Sequence, residues 1–348
     1  MSLIPATILT GFLGSGKTTL LKRVLEEAHG QKIAVIENEF GEENIDSDIL
    51  VSDTQERIIQ MSNGCICCTI RDDLRATLHD LAEKKRKGEL DFERVVIETT
   101  GLADPGPVAQ TFFMDDEIAE SYLLDSILTL VDAKHAMTQL DERQEARRQV
   151  GFADQIFISK TDLVSADEVS ALMRRLQHMN PRSPQKAVHF GEVALSEVFD
   201  LRGFNLNAKL DIDPEFLKDE EHEHEHDHAH GEHCDHPSHQ HGGAHHHAHE
   251  DDVKSFVFKS DRAFDPAKLE DFLGAIVNVY GPRMLRYKGV LYMNGTDRKV
   301  IFQGVHQLMG SDLGPLWGVE EKRNSKMVFI GIDLPKDIFL QGMRQCLV

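Results

Sequence analysis

The sequence predicts a doubly wound α/β domain on a mostly parallel sheet, followed by a smaller α+β unit. Three observations carry that expectation. Over residues 1–202, short and nearly continuous apolar runs alternate with longer helical patterns, and such runs suit strands buried on both faces of a parallel sheet. A glycine-rich stretch follows the first run and leads straight into a helical pattern. From residue 253 to 348 the pattern changes to strand-like segments with one internal and one final helix, which suggests a largely antiparallel sheet.

The elements follow in order. "PATILTG" reads as the first strand and "KTTLLKRVLEEAHG" as a helix closed by Gly30. "KIAVIEN" is a second strand and "RIIQMSN" a third. "RDDLRATLHDLAEKKRKG" is an amphipathic helix whose basic residues fall in the last turn, where they suit the helix dipole. "FERVVIETTG", "SILTLVDA" and "DQIFISKTD" read as further buried strands. In the second unit "KSFVFKS" alternates, and "DPAKLEDFLGAIVNVYG" is a helix with Pro266 in its first turn. "MLRYKGVLYMNG", "KVIFQGVHQLMG" and "SKMVFIGIDL" each read as one strand, and the tail as a final helix. The sheet of this unit is expected to be exposed and to offer a docking surface. Between the units, residues 203–252 read as an acidic, histidine-rich linker, too polar to bury a core and disordered without metal.

Composition narrows the function. The chain has 348 residues, a length that suits two domains. A net charge of −21 argues against nucleic acid as a partner, because phosphate binding needs a basic face. Thirteen of the nineteen histidines lie between Asp219 and Asp252, beside eleven acids and no Lys or Arg. Nothing resembles a membrane span of ~18 apolar residues, and the N-terminus lacks the basic region and cleavage site of a signal peptide. Of five cysteines, three fall within four residues. Clustered thiols of this kind bind metal or do redox chemistry in a reducing compartment, so the cytoplasm is expected.

"GFLGSGKT", Gly11 to Thr18, fits the phosphate-loop pattern G-x-x-x-x-G-K-[ST] between a strand and a helix. Gly11, Gly14 and Gly16 let backbone N–H groups, that of Ser15 included, curl around phosphate oxygens at a helix N-terminus that begins with Lys17, Thr18 and Thr19. Lys17 can reach the β/γ-phosphates, and the Thr18 hydroxyl can ligate magnesium. "SKTD", Ser159 to Asp162, ends a later strand and resembles the [NST]-K-x-D element of GTPases. The Asp162 carboxylate can accept from N1–H and the exocyclic amine of guanine, a donor pair adenine lacks, and the Lys160 stem can cover the base. This favours GTP over ATP. "VVIETTG" ends a strand with Glu98 and Gly101. The carboxylate is placed to hold the magnesium shell or the attacking water, and Gly101 to turn its N–H toward the γ-phosphate. "IENEFG" ends another strand with Glu37 and Glu39, candidate metal ligands. Asp132, in "LVDA", ends the next strand with its role open.

"GCICC" places Cys65, Cys67 and Cys68 just beyond the "RIIQMSN" strand. Parallel α/β sheets put ligands at the carboxyl ends of their strands, so these thiols are expected on the nucleotide side. Three thiolates cannot close a four-ligand cage alone but can hold zinc with a fourth ligand from Glu37, Glu39, Glu42, Asp115 or a client.

Together "GFLGSGKTT", "IENEFGE", "NGCICC", "VIETTGLADP", "SKTD" and "LRYKGVLYMNG…FQGVHQLM" resemble the CobW-type family of P-loop GTPases and metallochaperones. The resemblance covers nearly the whole chain outside the histidine tract. It implies a GTPase domain over 1–202, a CobW-type C-terminal domain over 253–348, slow GTP hydrolysis, and zinc at Cys65, Cys67 and Cys68. It implies a client metalloprotein without naming it; family members serve cobalamin synthesis, nitrile hydratase or zinc-limited enzymes. No glutamine stands in "ETTG" to orient a water. The chain is expected to be a monomer or a weak homo-oligomer. The competing reading is a zinc store with a vestigial GTPase core.

Overall fold

Eight residues, Ile4–Gly11 (β1), form the centre of a seven-stranded sheet in the computed structural model, which describes residues 3–27, 32–38, 58–61, 69–204 and 251–348. The sheet continues through Ile33–Asn38 (β2), Ile58–Met61 (β3), Arg94–Glu98 (β4), Tyr122–Asp132 (β5), Gln155–Ser159 (β6) and Gln185–Ala187 (β7). The strand order is β3-β2-β4-β1-β5-β6-β7, with every pairing parallel. All carboxyl ends therefore share one edge. The chain moves to one side of β1 for β2 and to the other for β5, and the reversal opens a crevice at the end of β1.

Alternation along the strands builds two cores. Leu9, Val35 and Val96 face Leu20, Leu21 and Val24 of Lys17–Glu27 (α1). Ile8, Ile36 and Ile97 point the other way. There they meet Thr69–Arg86 (α2), Pro105–Met114 (α3), Asp116–Ser121 (α4), Ala136–Glu142 (α5), Gln144–Phe152 (α6) and Ala166–Met179 (α7). Period-2 side-chain direction sorts neighbouring residues onto opposite faces. Local chemistry sets the helix starts. Asp104 caps α3 by accepting from Gly106 N–H at 2.9 Å, with Pro105 in the first turn. Ser165 and Glu168 form a reciprocal capping box at α7.

The second unit is an antiparallel sheet of order β11-β10-β9-β12-β8. Its strands are Val253–Ser260 (β8), Met284–Leu291 (β9), Arg298–Val305 (β10), Leu308–Leu316 (β11) and Ser325–Ile332 (β12). Two features depart from the sequence reading. "KVIFQGVHQLMG" is not one strand, because the chain reverses between Val305 and Leu308, with His306 in the left-handed region at φ 52°. Nor is the sheet broadly exposed. Met327 and Phe329 pack under Pro266–Tyr280 (α8) and Lys336–Gln345 (α9), while Val328 and Ile330 join the core of the first unit. The exposed apolar residues of this sheet, Met309, Leu313 and Leu316, all lie on its edge strand β11.

Helix α6 carries part of the contact between units. Arg147 pairs with Asp252, and Arg286 of β9 donates to Phe152 O at 3.1 Å. From α7, Arg175 grips Asp251 through two hydrogen bonds of 2.9 and 2.6 Å, both side chains being buried. The chain is thus anchored just ahead of the first strand of the second unit. The histidine tract and its expected disorder lie outside the described residues.

Candidate functional site

β1 ends where its last residue must turn sharply, and glycine makes the turn possible. Gly11, Gly14 and Gly16 have φ of 142°, 72° and 99°, backbone that side-chain-bearing residues rarely adopt. The loop feeds α1, whose first residue is Lys17. Its Nζ donates to Gly11 O at 2.8 Å and to Phe12 O at 3.3 Å. Burial lowers the lysine pKa, and the nearby Glu98 carboxylate pulls it back up. Ser15 is fully buried, and its Oγ has no protein hydrogen-bond partner. An ammonium, an unpartnered hydroxyl and a helix N-terminus around one loop are the donor set an anionic phosphate needs. Thr19, exposed, completes this first turn.

Beside the loop, Thr18 Oγ1 donates to Glu98 Oε1 at 3.0 Å. Glu37 is in register with Glu98 across β2 and β4. A hydroxyl and a carboxylate at this edge are hard oxygen donors of the kind magnesium takes, so the residues fit that ion. Gly101 touches the loop itself, since a Cβ there would lie 2.5 Å from Leu13 N. The segment after it is read by α6. Gln149, buried, donates from Nε2 to Gly101 O at 3.2 Å and Ala103 O at 3.0 Å. Arg148 Nη1 donates to Asp104 Oδ2 at 2.7 Å. Sequence reading missed both residues, which belong to no motif.

On the other side of β1, Ser159 Oγ donates to Ser15 O at 2.7 Å. Lys160, in the left-handed region at φ 57°, donates from Nζ to Gly14 O at 2.7 Å and to Asp132 Oδ2 at 2.7 Å. Asp132 also meets His135 Nδ1 at 2.9 Å. Burial raises the Asp132 carboxyl, but the hydrogen bonds from Lys160, His135 and Lys134 outweigh it and hold it below its usual range. Asp162 follows in a short 3-10 turn, with its carboxylate about half exposed. The helix beyond is capped by Ser165, so Asp162 does not serve as that cap.

The thiol residues Cys65, Cys67 and Cys68, with Glu39 and Glu42, lie outside the described residues. The chain leaves the carboxyl end of β3 at Met61 and re-enters at Thr69 in α2. Asp115 accepts from Arg75 at 2.8 Å and caps α4 through Ile118 N–H at 3.1 Å. Cys346 is buried between α8 and α9, with its Sγ 3.2 Å from Gly342 O. Among the described residues, no group of three or more His, Cys, Asp or Glu side chains is arranged to hold a metal.

A phosphate loop between β1 and α1, a Thr–Glu pair beside it and an S-K-T-D turn at β6 define a P-loop GTPase. The chain belongs to the CobW family: residues 5–186 match the CobW/HypB/UreG nucleotide-binding domain, and residues 253–347 the cobalamin synthesis protein cobW C-terminal domain. It is 40% identical over 340 residues to the zinc chaperone YjiA of Escherichia coli (strain K12), covering 97% of this chain and 96% of that one. Over 208 residues it is 36% identical to zinc-regulated GTPase metalloprotein activator 1 of Schizosaccharomyces pombe, covering 58% of this chain and 50% of that one. The crystal structure of Zn(II)-bound YjiA GTPase superposes with a TM-score of 0.76 at 34% identity, with 100% of both chains covered. No helix among the described residues is long and apolar enough to cross a membrane.

Proposed function

We propose that this chain is a GTP-hydrolysing metallochaperone whose nucleotide state governs zinc transfer from Cys65, Cys67 and Cys68 to a client metalloprotein. The observation that carries the reading is the shared carboxyl edge of the parallel sheet. The phosphate loop leaves β1 there, Glu37 lies one residue from the end of β2, Glu98 ends β4, and the cysteine segment begins where β3 ends. The names of the relatives, a zinc chaperone and a zinc-regulated GTPase activator, agree with it.

In this reading Gly11, Gly14, Ser15 and Gly16 cradle the phosphates while Lys17 neutralises charge that builds on them. Thr18 and Glu98 would hold magnesium, which when bound would supply charge neutralisation at the phosphates. Gly101 aims its N–H at the γ-phosphate, and its release on hydrolysis moves the segment that Gln149 and Arg148 grip. Ser159, Lys160 and Asp162 hold the guanine end, and Thr19 supports the α1 turn. Glu37 and Glu39 are candidates to complete the zinc shell. The chain divides into a GTPase unit over 1–202, a histidine-rich tether over 203–252 that raises local metal concentration, and a C-terminal unit over 253–348. The two family matches fall within those bounds. The protein acts in the cytoplasm as a monomer or weak homo-oligomer, without nucleic acid.

The test is zinc affinity, by competition with a chromogenic chelator, for protein lacking residues 220–250 in its GDP and GTP-analogue forms. An affinity difference of about tenfold that vanishes in the Cys65/Cys67/Cys68→Ser variant is expected, because coupling between two sites is reciprocal. Equal affinities overturn the nucleotide-gated reading. A zinc store with a vestigial core is excluded by GTP turnover that requires Lys17.

A further inference from the structure

Beyond β7, the loop His189-Phe190-Gly191 has an architecture that core packing does not explain. Phe190 is 74% exposed, yet its backbone sits in the left-handed region at φ 45°. A bulky residue there is an outlier, and such conformations gather at ligand clamps. The strained turn is fixed in place from both sides. Val188 N–H donates to Ile158 O of β6 at 2.9 Å. Gly191, at φ 75°, lies flat on the first turn of α1, where a Cβ would come within 2.9 Å of Leu20 Cα and 3.2 Å of Thr19 O. Glu192 then pairs with Arg23 of α1 at 3.3 Å. The loop therefore bridges the helix that begins at the phosphate loop and the strand that leads into the Asp162 turn.

The side chains follow the same line. The His189 and Phe190 rings meet edge to face at 4.5 Å between centroids. His189 Nδ1 stands 4.0 Å from Asp162 Oδ1. An exposed aromatic face, a histidine and a half-exposed carboxylate thus form one row across the carboxyl ends of β6 and β7. Lys160, two residues before Asp162, donates from Nζ back to Gly14 O at 2.7 Å.

We propose that Phe190 is the aromatic surface that stacks on the purine base of the bound nucleotide, with His189 orienting the Asp162 carboxylate toward the base edge. Stacking accepts any purine, because every base has a π-face, whereas the Asp162 carboxylate selects guanine over adenine. Phe190 thus provides affinity and Asp162 discrimination. Phe190 is a binding residue for the base, and His189 is a positioning residue acting through Asp162. This inference rests on the GTPase reading above.

The experiment measures binding of a fluorescently labelled GDP to the full chain and to Phe190→Ala, with inorganic pyrophosphate as competitor, and follows Phe190→Trp emission on adding unlabelled GDP. The unsubstituted chain, whose single tryptophan is Trp317, is the emission blank. Phe190→Ala is expected to weaken GDP binding about tenfold, leaving the pyrophosphate affinity and the melting temperature unchanged, since the ring contributes little to the core. Phe190→Trp is expected to keep the affinity and to be quenched by GDP but not by pyrophosphate. His189→Ala is expected to narrow the preference for GDP over ADP. If the unsubstituted chain binds GDP, Phe190→Ala binds it equally and Phe190→Trp emission is unmoved by it, the stacking proposal is overturned while the GTPase reading stands. If the unsubstituted chain binds no guanine nucleotide, both fall.

Discussion

Asp132 holds Lys160 over the phosphate loop. Its Oδ2 accepts from Lys160 Nζ at 2.7 Å, and the same ammonium donates to Gly14 O at 2.7 Å. The carboxylate is buried, whereas the lysine is partly exposed. The pair therefore fixes the direction of a long side chain that solvent would otherwise leave free. A buried acceptor with several charge-assisted donors is also the arrangement that keeps a carboxylate ionised.

Asp132→Ala is expected to release Lys160 from the loop. GDP affinity falls about tenfold, the scale of one lost charge-assisted hydrogen bond, and KM for GTP rises with kcat little changed. The carboxyl also carries a pH signature. Its folded pKa lies below its ordinary 3.8, so its contribution to stability is present above that pH and is lost as pH falls through the folded value. Asp132→Asn is expected to flatten that acid limb in a thermal-melt series. An unchanged limb and an unchanged KM mean that Asp132 does not position Lys160.

Lys17→Ala is expected to lower kcat for GTP by about 100-fold or more, since a preorganised positive charge acts where charge develops in the transition state. Glu98→Gln removes the charge beside Thr18 but keeps an acceptor within reach of its hydroxyl. It is expected to raise the magnesium concentration needed for half-maximal turnover and to lower kcat. Steady-state turnover against magnesium concentration reads both effects. An unaltered magnesium curve in Glu98→Gln removes that residue from the metal's surroundings.

The phosphate loop was legible because its chemistry is local: eight consecutive residues, a fixed spacing, a strand before and a helix after. The parallel sheet was legible for a similar reason, since strands buried on both faces leave continuous apolar runs. What escaped notice acts across distance. Gln149 bonds to Gly101 from 48 residues away, and a glutamine in a helix carries no mark of that partner. β5 begins at Tyr122, ahead of the expected "SILTLVDA", because Asp125 looks like a strand boundary. Asp125 is in fact buried, accepting from Arg202 N–H at 2.9 Å and lying 3.6 Å from Arg94. The turn at His306 contains no glycine or proline, so nothing local divided β10 from β11. Burial of the second sheet against α6 depends on a partner surface more than 100 residues upstream, which periodicity cannot reveal.

Gln149→Leu tests the grip on the segment after Gly101. The change leaves the buried Gly101 O and the part-buried Ala103 O without this donor. A loss of about 1–3 kcal/mol in stability is expected, read as a lower denaturant midpoint. Turnover should change more than GDP affinity, because the phosphate loop itself is untouched. A variant that is destabilised but hydrolyses GTP at the original rate would falsify a role for α6 in switching.

His306 offers a pH-dependent test of the contact between the two units. The ring enters at the first turn of α3, where Gly106 leaves room for it; a Cβ there would sit 2.5 Å from His306 Nε2. It also meets the Phe152 ring of α6 edge to face at 5.2 Å. Burial pushes the imidazole below its ordinary 6.5, the Asp104 carboxylate pulls it back up, and Arg148 adds to the lowering. The folded protein therefore favours the neutral ring, while the unfolded chain protonates at ordinary pH. Stability from this contact is complete above about pH 6.5 and declines as pH falls toward the folded value. His306→Phe keeps an aromatic ring and removes the titration. It is expected to lower the melting temperature by a similar amount at every pH, because a bulky ring is strained at φ 52°, and to lessen the further loss between pH 7.5 and 5.5. Because the ring touches α3 just beyond Asp104, it links the second unit to the segment that, in the proposed function, moves with nucleotide. The pH-dependent part of the loss should therefore differ between the GDP and GTP-analogue forms, and an identical pH profile in both would disconnect His306 from the nucleotide cycle.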